Sequence, residues 1–243
     1  MTADTPFDAM FSGVIGREYQ MLKLICPIAT EMSRLVGAEV ADYCRERPAS
    51  NTIVELGGGT GITTLAILAA ADNLKVLSID NEPTMQDQAK QSLQAWADAE
   101  RLSFVGDDAL TALRALDSES VDLVASAYTL HNFQRDYRRE VLVEIYRVLR
   151  PGGKFVNGDR YALDDNAGHT RNTQREVAGY FDVLKRINRL DLLEHWIIHL
   201  FNDESEEHIM REKVALTQMA EAGFRNIELR QRLDVNALVT AEK

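Results

Sequence analysis

Residues 54–61 read Val54-Glu55-Leu56-Gly57-Gly58-Gly59-Thr60-Gly61, an apolar run that ends in a turn almost bare of side chains. Glycine permits positive φ and lets a ligand lie against the backbone. An apolar-periodic stretch follows over 62–71, so the turn opens a helix whose first N–H groups have no intrahelical partner. Nucleotide-binding α/β folds share this order of strand, glycine turn and helix, so the loop alone points only to some nucleotide. The loop lacks the Gly-Lys-Ser/Thr ending of a P-loop. It also lacks the last glycine of G-x-G-x-x-G, because Ile62 stands there counted from Gly57 and Thr64 counted from Gly59. A nicotinamide dinucleotide is therefore disfavoured.

The same alternation continues downstream. Short apolar runs at 75–79, 102–105, 121–127 and 154–157 read as strands, separated by helical patterns at 82–100, 109–116 and 135–149. The last of these stops at Pro151-Gly152-Gly153. Strands alternating with helices imply right-handed crossovers and a mostly parallel sheet covered by helices on both faces. Two strand ends carry acids. Asp80 ends the second strand, where a carboxylate can accept hydrogen bonds from ribose hydroxyls. Asp107 and Asp108 end the third, where either can accept from an adenine amino group while Met85 covers the ring.

The flanks are helical. Tyr19, Leu22, Leu24-Ile25, Ile28, Met32, Leu35 and Val36 recur every three to four residues, and Pro27 interrupts them. This predicts two helices with a break near Cys26-Pro27, forming a lid over 1–50 ahead of the main domain at 51–243. Residues 164–202 leave the alternation and predict inserted helices with an apolar stripe of Val183-Leu184, Ile187, Leu190 and Leu192-Leu193. A helix over 206–222 ends at Gly223, and 227–232 with 237–241 predict closing strands in a hairpin.

The chain has 243 residues, 45% of them hydrophobic and 27% charged, enough for one sizeable core. Its formal net charge of -11 disfavours binding to phosphate backbones, so no nucleic-acid partner is expected. The Lys185-Arg186 and Arg189 cluster reads as a solvated helix face. Cys26 and Cys44 have neither disulfide-framework nor zinc-site spacing, and the five histidines lack HExxH spacing, so no metal site is predicted. The N-terminus lacks a signal-peptide pattern and no apolar run approaches the roughly 18 residues of a membrane span. No membrane partner is expected, and the cytoplasm is the expected compartment.

Taken in order, VELGGGTG (54–61), LSIDNEP (77–83), FVGDDAL (104–110), VDLVASAYTLHNF (121–133) and VLRPGGKFV (148–156) resemble the class I S-adenosylmethionine (SAM)-dependent methyltransferases. The resemblance implies a Rossmann-like seven-stranded α/β sheet with SAM at the carboxyl ends of the strands. It puts Glu55, Gly57 and Gly59 near the methionine part of SAM and Asp80 on the ribose. Asn81 and Met85 would lie beside the adenine, Asp107 and Asp108 at its edge, with the backbone of Ala127 facing the ligand.

Phe7-Asp8, Gly16-Arg17-Glu18-Tyr19, the segment from Ile79 to Met85, Leu184-Lys185-Arg186 and Glu221-Ala222-Gly223-Phe224 are similar to segments of the carboxy-SAM synthases. In that family Tyr19 would touch SAM, and a homodimer is expected. The family's Gln-Lys-Arg segment, which holds the added carboxylate, is replaced by Leu192-Leu193-Glu194-His195-Trp196-Ile197. The departure implies a different reaction. Methyl transfer to a small molecule is one, with His131, His195, His199 or Asp159 as base and His131 best placed after the fourth strand. Cyclisation of SAM's own aminobutyrate tail to azetidine-2-carboxylate and methylthioadenosine is another, with SAM as sole substrate. There, aromatic faces such as Tyr19, Tyr128, Tyr161, Tyr180 and Phe181 would stabilise the sulfonium and Asn132 would orient the amine. SAM binding without turnover is a third. Tyr19, His131, Asn132 and Tyr180 are the catalytic candidates.

Overall fold

The computed structural model describes residues 27–47, 49 and 51–243. Pro27 opens the first described helix, α1 (Pro27–Glu46), as its fixed φ favours. The expected helix before it, and Tyr19 with it, lie outside the described residues. Next come β1 (Asn51–Leu56), α2 (Ile62–Leu68), β2 (Leu74–Ile79), α3 (Pro83–Ser92) and α4 (Gln94–Asp98). They are followed by β3 (Leu102–Val105), α5 (Ala109–Arg114), β4 (Val121–Ala127), a 3-10 turn (Leu130–Asn132), α6 (Arg135–Val148) and β5 (Leu149–Arg160). The chain ends with α7 (Asn166–Arg186), α8 (Leu193–Asp203), α9 (Glu212–Ala222), β6 (Arg225–Leu233) and β7 (Asn236–Glu242).

The seven strands form one sheet in the order β3-β2-β1-β4-β5-β7-β6. β1 to β5 run parallel, and β7 lies antiparallel between β5 and β6. The expected closing hairpin is therefore present, and it inserts its second strand next to the parallel set. The sheet is covered on both faces, which is why its inner strands β1 and β4 are buried along nearly their whole length rather than on alternate residues. Ile53, Val76, Leu123 and Val156 join Met32, Leu35, Val36, Val40 and Ile67 from α1 and α2 in one core. Val54, Val124, Phe155 and Val239 join Leu113, Val141, Leu142, Ile145 and Met219 from α5, α6 and α9 in the other.

One expected helix is divided. Leu93 leaves the helical region, with φ −112° and ψ 18°, and separates α3 from α4. Its buried side chain covers Gly61, so packing against the glycine loop overrides continuous helix propensity. The insertion, α7 and α8, carries a small core of Tyr180, Leu184, Leu192, Trp196 and Leu200. Its link to the sheet is largely ionic. Arg160, at the end of β5, pairs with Glu176 at 2.7 Å and Glu204 at 3.2 Å.

Candidate active site

The strand order reverses between β1 and β4, and ligands of open α/β sheets bind in the crevice at such a switch point. A cleft lies there, enclosing about 760 Å³ with its open mouth included. Gly57 to Thr60 form one wall, Ala127 to Thr129 the other, and Ala29, Thr30 and Ser33 of α1 the roof. A narrower groove continues from it past Asn81 and Asp107.

The glycine loop is held from below. Gly57 N donates to Ile79 O at 2.8 Å, tying the end of β1 to β2. Gly57 has φ 68°, and a Cβ there would sit 2.0 Å from Thr129 Oγ1. Both the turn and the close approach of the opposite wall therefore demand glycine. Asp80 stands between cleft and groove. Its Oδ2 accepts from Gly59 N at 2.7 Å and its Oδ1 from Glu82 N at 2.8 Å. A carboxylate held in this way at a strand end is of the type that accepts hydrogen bonds from ribose hydroxyls. Met85 is buried with its methyl group against Gly59.

The two adjacent acids separate. Asp107 is exposed and lines the groove. Asp108 caps α5, accepting from Thr111 N at 2.9 Å and from Tyr137 Oη at 3.1 Å. Burial would raise the Asp108 carboxyl, but these hydrogen bonds outweigh it and hold it below its ordinary value. Glu55 lies under the loop rather than in the cleft wall. Its Oε2 accepts from Thr64 Oγ1 at 2.6 Å and Ser78 Oγ at 2.8 Å, while Oε1 has no partner among the described residues. Burial pushes its carboxyl up to about 7.

The wall after β4 turns sharply. Tyr128 adopts φ 53°, the left-handed region that a non-glycine residue occupies only under constraint. Its hydroxyl donates to Asn236 Oδ1 at 3.0 Å. The turn aims Thr129 and Asn132 into the cleft and His131 away from it. Asn132 Nδ2 donates to Tyr128 O at 3.1 Å, and its buried Oδ1 has no partner among the described residues.

His131 faces a separate pocket of about 230 Å³, its open mouth included, beneath the insertion. Its Nδ1 lies 2.6 Å from Asp159 Oδ1. Burial alone would depress the imidazolium, but the carboxylates of Asp159 and Asp203 outweigh it and hold His131 above its ordinary value. Tyr180 is also remote from the described cleft walls. It is buried in the insertion's core, with its hydroxyl donating to Glu176 Oε1 at 2.7 Å. Tyr19 lies outside the described residues.

The sequence reading missed the roof residues Thr30 and Ser33, because only the apolar stripe of α1 was legible. Ser33 Oγ lies 2.8 Å from Thr63 Oγ1, joining α1 to α2 at the cleft edge. The reading also missed a donor cluster. Spacing predicts no metal site, yet the fold gathers donor atoms of His131, His199 and Asp203 within 4.8 Å of one another.

The described helices include none long and apolar enough to cross a membrane. The family model described as a methyltransferase domain matches residues 53–153. The chain is 31% identical over 160 residues to the carboxy-S-adenosyl-L-methionine synthase of Shewanella amazonensis, covering 65% of this chain and 62% of that protein. It is 30% identical over 196 residues to the synthase of the same name from Ectopseudomonas mendocina, covering 79% of this chain and 75% of that one. Among solved structures, the CurJ carbon methyltransferase superposes with a TM-score of 0.68 at 16% identity, covering 97% of this chain and 61% of that one. That likeness is one of fold, and the chain spans under two thirds of both the CurJ and the Shewanella proteins. With the switch-point cleft, the glycine loop and Asp80 described, the chain belongs to the carboxy-SAM synthase family within the class I SAM-dependent methyltransferase superfamily.

Proposed function

We propose that this chain binds SAM in the switch-point cleft and acts as a SAM-dependent methyltransferase on a small molecule. The adenosine would lie over Asp80, Asn81 and Met85 with Asp107 at the adenine edge, and the methionine end beside Ala127, Thr129 and Asn132. The observation that carries this reading is the Gly59–Asp80 hydrogen bond beside the switch-point cleft, which fixes a carboxylate next to a bare glycine backbone. A sulfonium brings its own leaving group, so the enzyme needs chiefly to align and desolvate the reactants. His131 turns into the cavity beneath the insertion, paired with Asp159. The reading therefore favours an acceptor whose nucleophile needs no deprotonation by that ring.

Asn132 favours a second reading. Its buried Oδ1, without a partner among the described residues, lines the cleft and would accept a hydrogen bond from an amine. In SAM cyclisation the free amine attacks its own γ-carbon. The N–C bond forms, the C–S bond breaks, methylthioadenosine leaves, and the amine's proton goes to solvent. Carboxy transfer is less well supported. Leu192 and Trp196 of the replacement segment pack in the insertion's core, and neighbouring Arg189 pairs with Asp191 at 3.0 Å.

Incubation with SAM alone separates the two. Rapid methylthioadenosine with azetidine-2-carboxylate would establish cyclisation and end the methyltransferase reading. S-adenosylhomocysteine formed only on addition of a metabolite would do the reverse. Both require the same cofactor site, so Asp80→Ala should weaken SAM binding on the order of 100-fold, about 3 kcal/mol. Unchanged affinity by calorimetry would reject the ribose assignment.

A further inference from the structure

Beside the pocket beneath the insertion, which His131 and Asp203 line, stands a donor set that the proposed reaction does not use. His131 comes from the turn after β4, and His199 and Asp203 from successive turns of α8. Asp203 Oδ2 lies 3.8 Å from His131 Nε2, from His199 Nε2 and from Arg160 Nε. It is thus central to three nitrogens and within hydrogen-bonding distance of none of them. Asp203 is 7% exposed, and its second oxygen, Oδ1, is buried without a partner among the described residues. A carboxylate oxygen in that state is under-satisfied, and a bound cation would satisfy it.

Arg160 fills that role only in part, its Nε standing 3.8 Å from Asp203 Oδ2. Its terminal nitrogens are bonded to Glu176 at 2.7 Å and Glu204 at 3.2 Å. The fourth neighbour of the cluster is Asp159, buried behind His131 and bonded to the ring's far nitrogen at 2.6 Å. Carboxylate, imidazole and open Nε2 in line is the arrangement by which metal-ligating histidines are oriented and made more basic.

We propose that His131, His199 and Asp203 bind one divalent transition-metal ion of the zinc type, with Asp159 orienting His131. Two imidazoles and one carboxylate suit a borderline cation. They do not suit magnesium or calcium, which take oxygen donors. Ligands about 2.1 Å from a tetrahedral ion stand roughly 3.4 Å apart, so the two 3.8 Å separations from Asp203 need to close by a few tenths of an ångström, and the two imidazole nitrogens, within 4.8 Å of each other, by at most about 1.4 Å. The ion ties α8 to the turn whose other side carries Thr129 and Asn132. It therefore clamps the insertion onto the back of the cleft wall, and its binding does not depend on which reaction the cleft performs.

The full chain, stripped with a chelator and dialysed, is titrated with Zn²⁺ by calorimetry and with Co²⁺ by visible absorption. One ion per chain is expected, with a tetrahedral Co²⁺ spectrum. His199→Gln and Asp203→Asn should each weaken binding by more than tenfold and abolish that spectrum. Asp159→Asn should weaken it about 10- to 100-fold. His195→Ala, on the same helix but outside the cluster, should bind as the unaltered chain does. Circular dichroism of each variant confirms that it is folded, and His199→Gln preserves side-chain bulk should Asp203→Asn unfold. Zn²⁺ uptake no tighter than that of folded His199→Gln overturns the site and leaves an ionic network alone. So does a Co²⁺ spectrum that persists in the ligand variants.

Discussion

At the scale of the residue, Glu55 separates what a motif spells from what it does. The sequence aligns it with the ligand, but the fold buries it completely under the loop against Thr64 and Ser78. Its carboxyl, with an ordinary value of 4.5, is pushed up to about 7 because burial outweighs those two hydrogen bonds. The folded chain thus holds a proton that the unfolded chain gives up from about pH 4.5. Stability from this group is complete below that pH and is lost as pH rises through about 7, a change of about 3 kcal/mol. Denaturant unfolding across this range should show the decline in the unaltered chain, and Glu55→Gln should flatten it. Parallel profiles for the two proteins would mean that Glu55 is ionised in the fold. Asp80 and Asp107 stand at strand ends, which the alternation of strands and helices locates, and the fold puts them on the cleft and the groove beside it. Asp108 was not distinguishable from Asp107, since a helix cap and a ligand acceptor need the same side chain at the same spacing.

At the scale of the element, the turn Leu130–Asn132 carries more of the structure than its length suggests. Asp159 accepts from Leu130 N at 2.9 Å and holds His131. From the other side, the fully buried guanidinium of Arg138 donates to the carbonyls of Leu130, Phe133 and His208 at 3.3, 3.2 and 3.1 Å. Burial drives that guanidinium down to about 10, against the opposing pull of Asp159, yet it stays charged at neutral pH. One side chain therefore joins the turn, α6 and the segment before α9. Arg138→Met removes the charge and leaves three buried carbonyls without this donor, so a loss of about 3 kcal/mol is expected. A shift of under about 1 kcal/mol in chemical denaturation would show that water replaces the guanidinium there. The sequence marked His131 as a base because it follows β4. Its direction was illegible, because the residues that turn it come from the end of β5 and from α8, and no local period records them.

At the scale of the whole molecule, the alternation of strands and helices fixed β1 to β5, since parallel crossovers are right-handed and each apolar run has only a buried place to go. The order of the last two strands was beyond local reading, because an antiparallel hairpin can add to the sheet by either of its strands. The insertion was legible as helices, but its attachment was not. Its apolar residues, Tyr180, Leu184, Leu192, Trp196 and Leu200, pack on one another and form a core distinct from the two that flank the sheet. Across the seam to the sheet lie Arg160, Glu176, Asp203, Glu204, His169 and His131. Opening that seam rehydrates charged groups and exposes little apolar surface, so it costs less than opening the sheet. Native-state hydrogen exchange should therefore show α7 and α8 opening together, at least about 2 kcal/mol below the global unfolding that governs β1, β4 and β5. Equal protection of the insertion and the central strands would mean that the ionic seam is as cooperative as the apolar core, and that the molecule opens as one unit.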